Sequence, residues 1–432
     1  MRINAGDLPF LLSTCRLLRG IAQSYLLATL LPNLHALGWS SLRWGTLLSG
    51  ALLADFLLTA AVGSLADRLS PGRILLAGDL LGILSPLPYL IHPGPLSLSA
   101  AILLSGAGQR TNGSPGPWAP PEQLLLSRHP ATPGRPFGFF ARNMAAGLLG
   151  MSAGALLAWE SALSPAAGIR AGLAALSALS LLAVILILPL GQRPSPIPPF
   201  PADSPPDPPD SAPGGRDGAK RKMALLVTSN ILGGLSLGLV DPVIATWFLL
   251  RFHAGPSRTA LYLSLAFLAA AGVAMALGRI DRIRALPATV ILLQSVSLAA
   301  ALLLPFAPSL LPAALLYTIR MAGARAPGGI RQALALTLLP KHQTGLAAGL
   351  HLSSLQAAQI AGPLLAGLLW HAGRTDTPLI AAALLSGISL ALFWTLYRFA
   401  HAGDPWSSGE IRSRCRVSGP SVQISENNDQ LN

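Results

Sequence analysis

Between two apolar runs the chain reads Gly63-Ser64-Leu65-Ala66-Asp67-Arg68-Leu69-Ser70-Pro71-Gly72-Arg73. An acid and two arginines are gathered into a short turn bracketed by glycines, where one uncharged stretch ends and the next begins. A helix needs about 20 apolar residues to cross the hydrocarbon core of a bilayer, and charge collects in the connections between such helices. The stretch therefore reads as a loop joining two membrane spans. Its glycines let two helix ends approach, and its aspartate can meet a helix N-terminus or an arginine on a neighbouring helix.

The rest of the chain has the same layout. Of 432 residues, 52% are hydrophobic and only 11% charged, with a mean hydropathy of +0.55, which a water-facing surface does not tolerate. The net charge of +13 is mostly arginine at the ends of apolar runs, a topology signal rather than a nucleic-acid patch, so no nucleic-acid partner is expected. Cys15 and Cys415 make no disulfide framework. His35, His92 and His351 lack metal-ligand spacing, and no nucleophile elbow, phosphate loop or HExxH motif occurs. No metal, cofactor or enzymatic activity is expected. The first apolar stretch carries Arg16 and Arg19 and runs directly into further spans, so it reads as a retained helix rather than a signal peptide.

A ruler of about 20 residues divides the chain into twelve segments near 9–33, 44–63, 73–91, 97–121, 138–159, 168–190, 223–249, 259–277, 287–306, 310–336, 343–371 and 377–397. The N-terminus, the tail and the loops after even-numbered spans hold 19 of the 30 basic residues, against five on the opposite side. Both termini are thus expected in the cytoplasm of a multi-pass cell (inner or plasma) membrane protein. Residues 191–222 are proline-rich and end in a basic cluster, the composition of a disordered or polyproline-like linker between a bundle at 1–190 and a second at 223–400; 401–432 is a polar tail. The halves echo each other: Asp67-Arg68 recurs as Asp281-Arg282, Glu122-Gln123 as Arg331-Gln332, and Pro130 as Pro340, at offsets of 214, 209 and 210 residues.

Placed after the second of twelve spans and half-repeated after the eighth, the opening stretch resembles the signature loop of the major facilitator superfamily. That resemblance implies an all-α membrane fold of twelve transmembrane helices in two pseudo-symmetric six-helix bundles. It also implies alternating access, with Gly63, Asp67, Arg68, Arg73, Asp281 and Arg282 as gating residues. The chain departs from the pattern at Ser70-Pro71, and the second copy, Gly278-Arg279-Ile280-Asp281-Arg282, is one residue short. Gln109-Arg110-Thr111-Asn112-Gly113 only partly matches the span-4 motif associated with proton coupling, and the glycine-proline pair of drug antiporters is absent from span 5. Gly362-Pro363 in span 11 reads as a close helix crossing or a kink.

Six arginines fall inside spans: Arg16, Arg19, Arg110, Arg142, Arg320 and Arg325. A charge at membrane depth is costly unless it faces a cavity or a partner, so such residues mark function by default. The resemblance places spans 1, 4, 7 and 10 around a central cavity. Arg16, Arg19, Gln23, Arg110, Asp241, Arg320, Arg325, Gln356 and Gln359 are therefore the candidates for contact with a small-molecule substrate. Guanidinium forks suit carboxylate or phosphate, which points to an organic anion. Asp55, at the depth of Arg16, and Glu122 are candidates for carrying a coupling proton. The expectation is a monomeric secondary transporter in a lipid bilayer. The alternative is a transport-inactive scaffold or sensor of the same fold that acts through partners.

Overall fold

The computed structural model describes residues 8–66, 70–105, 121–122, 125–126, 136–160, 164–191, 215–279, 286–328, 330–331 and 344–401. Among the described residues there is no strand. In chain order the helices are α1 (Leu8–Ala36), α2 (Ser41–Ala66), α3 (Pro71–Leu84), α4 (Leu87–Ile91), α5 (Pro95–Leu104), α6 (Pro136–Glu160) and α7 (Pro165–Gly191). There follow α8 (Gly215–Val240), α9 (Ile244–Phe252), α10 (Pro256–Leu277), α11 (Leu286–Leu303), α12 (Leu310–Arg325), α13 (Thr344–His371) and α14 (Thr377–His401).

Each of the twelve segments read from the sequence contains helix, and among the described residues six helices are long and apolar enough to cross a membrane. Proline sets many of the starts, at Pro71, Pro95, Pro136, Pro165 and Pro256, because the first helical residue has no amide partner to lose. Left-handed backbone sets several ends: Gly38 after α1, His253 after α9 and Gly373 after α13.

Two expected single helices are broken. Span 3 is divided at Ser85-Pro86 into α3 and α4, and span 7 at Asp241-Pro242-Val243 into α8 and α9. Each break holds a proline, which removes one amide donor and crowds the carbonyl four residues back. The linker differs from expectation as well. Its basic end, Lys220-Arg221-Lys222, lies in the first turns of α8, which starts at Gly215, because these good helix formers continue the span's own helix outward. Residues 192–214 and 402–432 lie outside the described residues, as do Asp67, Arg68, Arg110, Asp281 and Arg282.

The helices pack in two matching sets. α1 lies against α6 and α7, and α3 against α7; correspondingly α8 lies against α13 and α14, and α11 against α14. Small residues carry the closest crossings. A Cβ added at Gly154 would stand 2.1 Å from the Ile21 carbonyl oxygen, and one at Gly362 would stand 2.1 Å from the Gly238 backbone, so Gly362 does serve a close crossing. α6 also packs along α10, and α2 along α13, which joins the two sets. At the first of these joints the Ser152 and Ser264 hydroxyls lie 3.0 Å apart. At the second, the Leu364 amide donates to Ser49 Oγ at 3.0 Å, and Trp44 meets Trp370 edge-on at 5.3 Å.

Candidate functional site: two buried arginine clusters

Among the described residues the buried charges are Arg16, Arg19, Asp55, Asp79, Glu122, Asp241, Arg320 and Arg325, and all but Asp55 fall into two groups. In the first, Arg16 and Arg19 lie eight and eleven residues into α1, about 12 and 16 Å along it at 1.5 Å per residue. Each is only 7% exposed. Arg19 makes a forked pair with Asp79 of α3, Nε to Oδ1 at 2.8 Å and Nη2 to Oδ2 at 2.7 Å. Its Nη1 reaches Glu122 Oε2 at 3.4 Å, and Arg16 Nη1 donates to Glu122 Oε1 at 3.0 Å. The Asn143 amide of α6 donates to that same Glu122 oxygen. Two guanidiniums and two carboxylates thus tie α1, α3, α6 and the end of the fourth segment into one network, and its formal charges cancel.

The expected opposition of Arg16 and Asp55 does not occur, since Arg16 turns to Glu122 instead. The reason is packing: α1 lies on α6 and α7 and touches α2 very little. Asp55 is buried in α2, where its carbonyl accepts from the Thr59 hydroxyl at 2.7 Å.

The second group lies in the other set of helices. Asp241 stands at the break between α8 and α9, about 16 Å back from the end of α9 if helical rise is counted over the intervening residues. The expected seventh span ends near residue 249, whereas the helix beyond the break runs on to Phe252. Arg320 and Arg325 reach it from α12. Arg320 Nη1 donates to Oδ1 at 2.6 Å and Arg325 Nη2 donates to Oδ2. All three are at least 94% buried, at 1%, 3% and 6% exposure for Asp241, Arg320 and Arg325. The Arg320 guanidinium also lies 6.0 Å from the centre of the Tyr317 ring, and that ring meets Phe248 of α9 edge-on. Tyr317 is 1% exposed, and its hydroxyl has no hydrogen-bond partner among the described residues.

In the first group Arg16 and Arg19 meet Asp79 and Glu122, and in the second Arg320 and Arg325 meet Asp241. Asp79, Asn143 and Tyr317 were not singled out from the sequence. Asp79 could have been, because eight residues into α3 it lies about 12 Å along that helix, at the depth of Arg16 and Arg19. Of the remaining candidates, Gln23, Gln356 and Gln359 are half-buried, and the Gln359 backbone forms the surface against which Gly238 packs. Arg73 is exposed in the first turn of α3, and Gly63 lies in the last turn of α2.

No family model matches the sequence, and no curated protein matches it either. Solved structures do match over nearly the whole length. The human organic anion transporter MFSD10 (TETRAN) superposes with a TM-score of 0.67 at 15% identity, covering 91% of this chain and all of the other. The nucleoside transporter NupG gives 0.62 at 14%, covering 91% and 99%. A bacterial homologue of the human lysosomal transporter Spinster, in an inward-facing and unoccupied conformation, gives 0.62 at 13%, covering 91% and 97%. The likeness shows the fold: the helices take the arrangement of the major facilitator transporters.

Proposed function

We propose that this chain, a multi-pass membrane protein with the major facilitator fold, is a secondary transporter that moves a small organic anion by alternating access. The observation that carries the reading is the Arg320–Asp241–Arg325 group: two guanidiniums from α12 meet on the buried carboxylate of Asp241, beside the break in the seventh segment. Half-helix ends meeting at mid-depth are where transporters build solute sites, and guanidinium forks recognise carboxylates in two-point geometry. One of the structural relatives is described as an organic anion transporter, which agrees with the chemistry of the site.

The bundles are proposed at 1–190 and 223–400, with both termini and the linker on the cytoplasmic side, and the protein works as a monomer. Asp67, Arg68 and Arg73, with Asp281 and Arg282, form the gate between bundles at that side. A proton is the coupling ion, carried by the buried carboxyl of Asp55; Glu122 holds Arg16 and Arg19. The test is reconstitution into proteoliposomes under an imposed proton gradient. Asp55→Asn should abolish gradient-driven accumulation and leave anion exchange intact, because exchange moves no net proton. Gradient-driven accumulation that survives in Asp55→Asn removes that residue's role.

A further inference from the structure

The repeat that relates the two halves puts unlike charges at one matching position. Glu122-Gln123 recurs as Arg331-Gln332. Glu122 is fully buried against Arg16 and Arg19, whereas half-buried Arg331 lies over the ring of Phe393 in α14, its guanidinium carbon 4.9 Å from the ring centre. One residue further along α14, Trp394 carries Arg398 in the same way, at 5.3 Å. An aromatic face holds a guanidinium in place but takes up none of its in-plane N–H donors. Nη2 of Arg331 has no hydrogen-bond partner among the described residues, and among them neither arginine has a carboxylate partner.

The level of these arginines follows from the packing of α14 on α8. Ser229 and Ser389 exchange hydrogen bonds at 2.9 and 2.7 Å, and seven residues on along α8 the Ser236 hydroxyl donates to the carbonyl of Ala382, seven residues back along α14. The two helices are therefore antiparallel. Followed the other way, the same register sets Arg398 level with Arg221, each about 12 to 14 Å from the serine pair at 1.5 Å per residue. Arg221 belongs to the basic cluster Lys220-Arg221-Lys222, at the end that the proposed orientation turns to the cytoplasm. Leading to that end, α14 shows an apolar stripe at helical spacing, with Leu384 60%, Ile388 52% and Trp394 40% exposed, and exposed Arg398 stands at its foot. From Leu384 to Trp394 the stripe is about 15 Å long.

We propose that this end of α14 is a binding site for an anionic phospholipid, whose acyl chain lies along the stripe and whose phosphate is held by Arg331 and Arg398. Guanidinium forks match phosphate oxygens, and basic pockets between spanning helices at the cytoplasmic face suit acidic headgroups. The occupant is a lipid rather than a free anion because the arginines stand where the apolar stripe ends. A zwitterionic headgroup brings an ammonium along with its phosphate, which the neighbouring arginines repel, so the site selects a net negative lipid. The site is separate from the interior arginine groups and does not depend on what the protein moves.

The full-length protein is purified in a neutral detergent, and its unfolding temperature is followed during titration with phosphatidylglycerol, with phosphatidylcholine of the same chains, and with inorganic phosphate at matched ionic strength. A ligand that binds only the folded state raises that temperature with concentration. Phosphatidylglycerol should raise it in a saturable way, and the other two should not. Arg331→Gln/Arg398→Gln should move half-saturation to about tenfold higher lipid or beyond, the worth of one charge-assisted hydrogen bond. Arg142→Gln/Arg279→Gln removes the same charge from two other exposed arginines and should leave the response in place. If the first double variant does not survive purification, Arg398→Gln alone, at an exposed position, should show the weakening. No response of wild type to phosphatidylglycerol, an equal one to phosphatidylcholine or phosphate, an equal loss in both double variants, or an unchanged response in Arg398→Gln overturns the proposal.

Discussion

Asp79 shows what single residues decide in this protein. It lies in an apolar run, Leu75-Leu76-Ala77-Gly78-Asp79-Leu80-Leu81, and the run's hydropathy hides it. Its position makes sense only once α3 and α1 are both close to the Glu122 segment, because Arg19 spans the two acids. Removing one member of a buried pair leaves the other charge uncompensated, at about 3–5 kcal/mol. Asp79→Ala should lower stability by about that amount in an unfolding titration, and Arg19→Met/Asp79→Leu should recover most of it. A neutral Asp79→Ala would mean the pair does not hold α1 to α3. At the other group the relevant property is the planar fork rather than the charge. Arg320→Lys keeps a cation but loses the two-point match, so solute KM should rise by about ten- to a hundredfold, the worth of a charge-assisted hydrogen bond. An unchanged KM would remove Arg320 from the site.

At the scale of helices, the apolar runs and their charged punctuation located helix in each of the twelve segments, six of them long and apolar enough among the described residues to cross a bilayer, because a bilayer demands that length of apolar helix whatever the neighbours are. What the sequence could not yield is which helix faces which. Asp55 and Arg16 share a depth, and only the packing of α1 on α6 separates them. The breaks at Pro86 and Pro242 were visible as prolines but not as breaks, since Pro32 and Pro363 remain inside α1 and α13. The small-residue crossings give a paired prediction. Gly154→Ala drives a Cβ into the Ile21 carbonyl and should destabilise by about 1–3 kcal/mol, as overpacking does. Gly272→Ala, on α10 with nothing within 4 Å, should be neutral or stabilising by up to about 1 kcal/mol. Thermal unfolding of the two purified variants checks both, and equal effects would contradict the crossing.

For the whole molecule the decisive feature is that two helix sets meet along α6·α10 and α2·α13. Ser152 and Ser264, with hydroxyls 3.0 Å apart, are within disulfide reach once both are cysteine and Cys15 and Cys415 are serine. With a protease site placed in 192–214 and cut, the halves should migrate together when oxidised and apart when reduced. Separate migration under oxidation would contradict the joint. Because alternating access requires the bundles to change their mutual angle, turnover should fall on oxidation and return on reduction. In the proposed transport cycle such a change of angle carries an anion past Arg320 and Arg325. The most direct test is uptake of a panel of labelled carboxylates into proteoliposomes, by wild type and by Arg320→Gln/Arg325→Gln. The account predicts saturable, protein-dependent uptake of at least one carboxylate by wild type, and its loss in the double variant. Uptake confined to neutral or cationic solutes, or carboxylate uptake untouched by the double substitution, would contradict it.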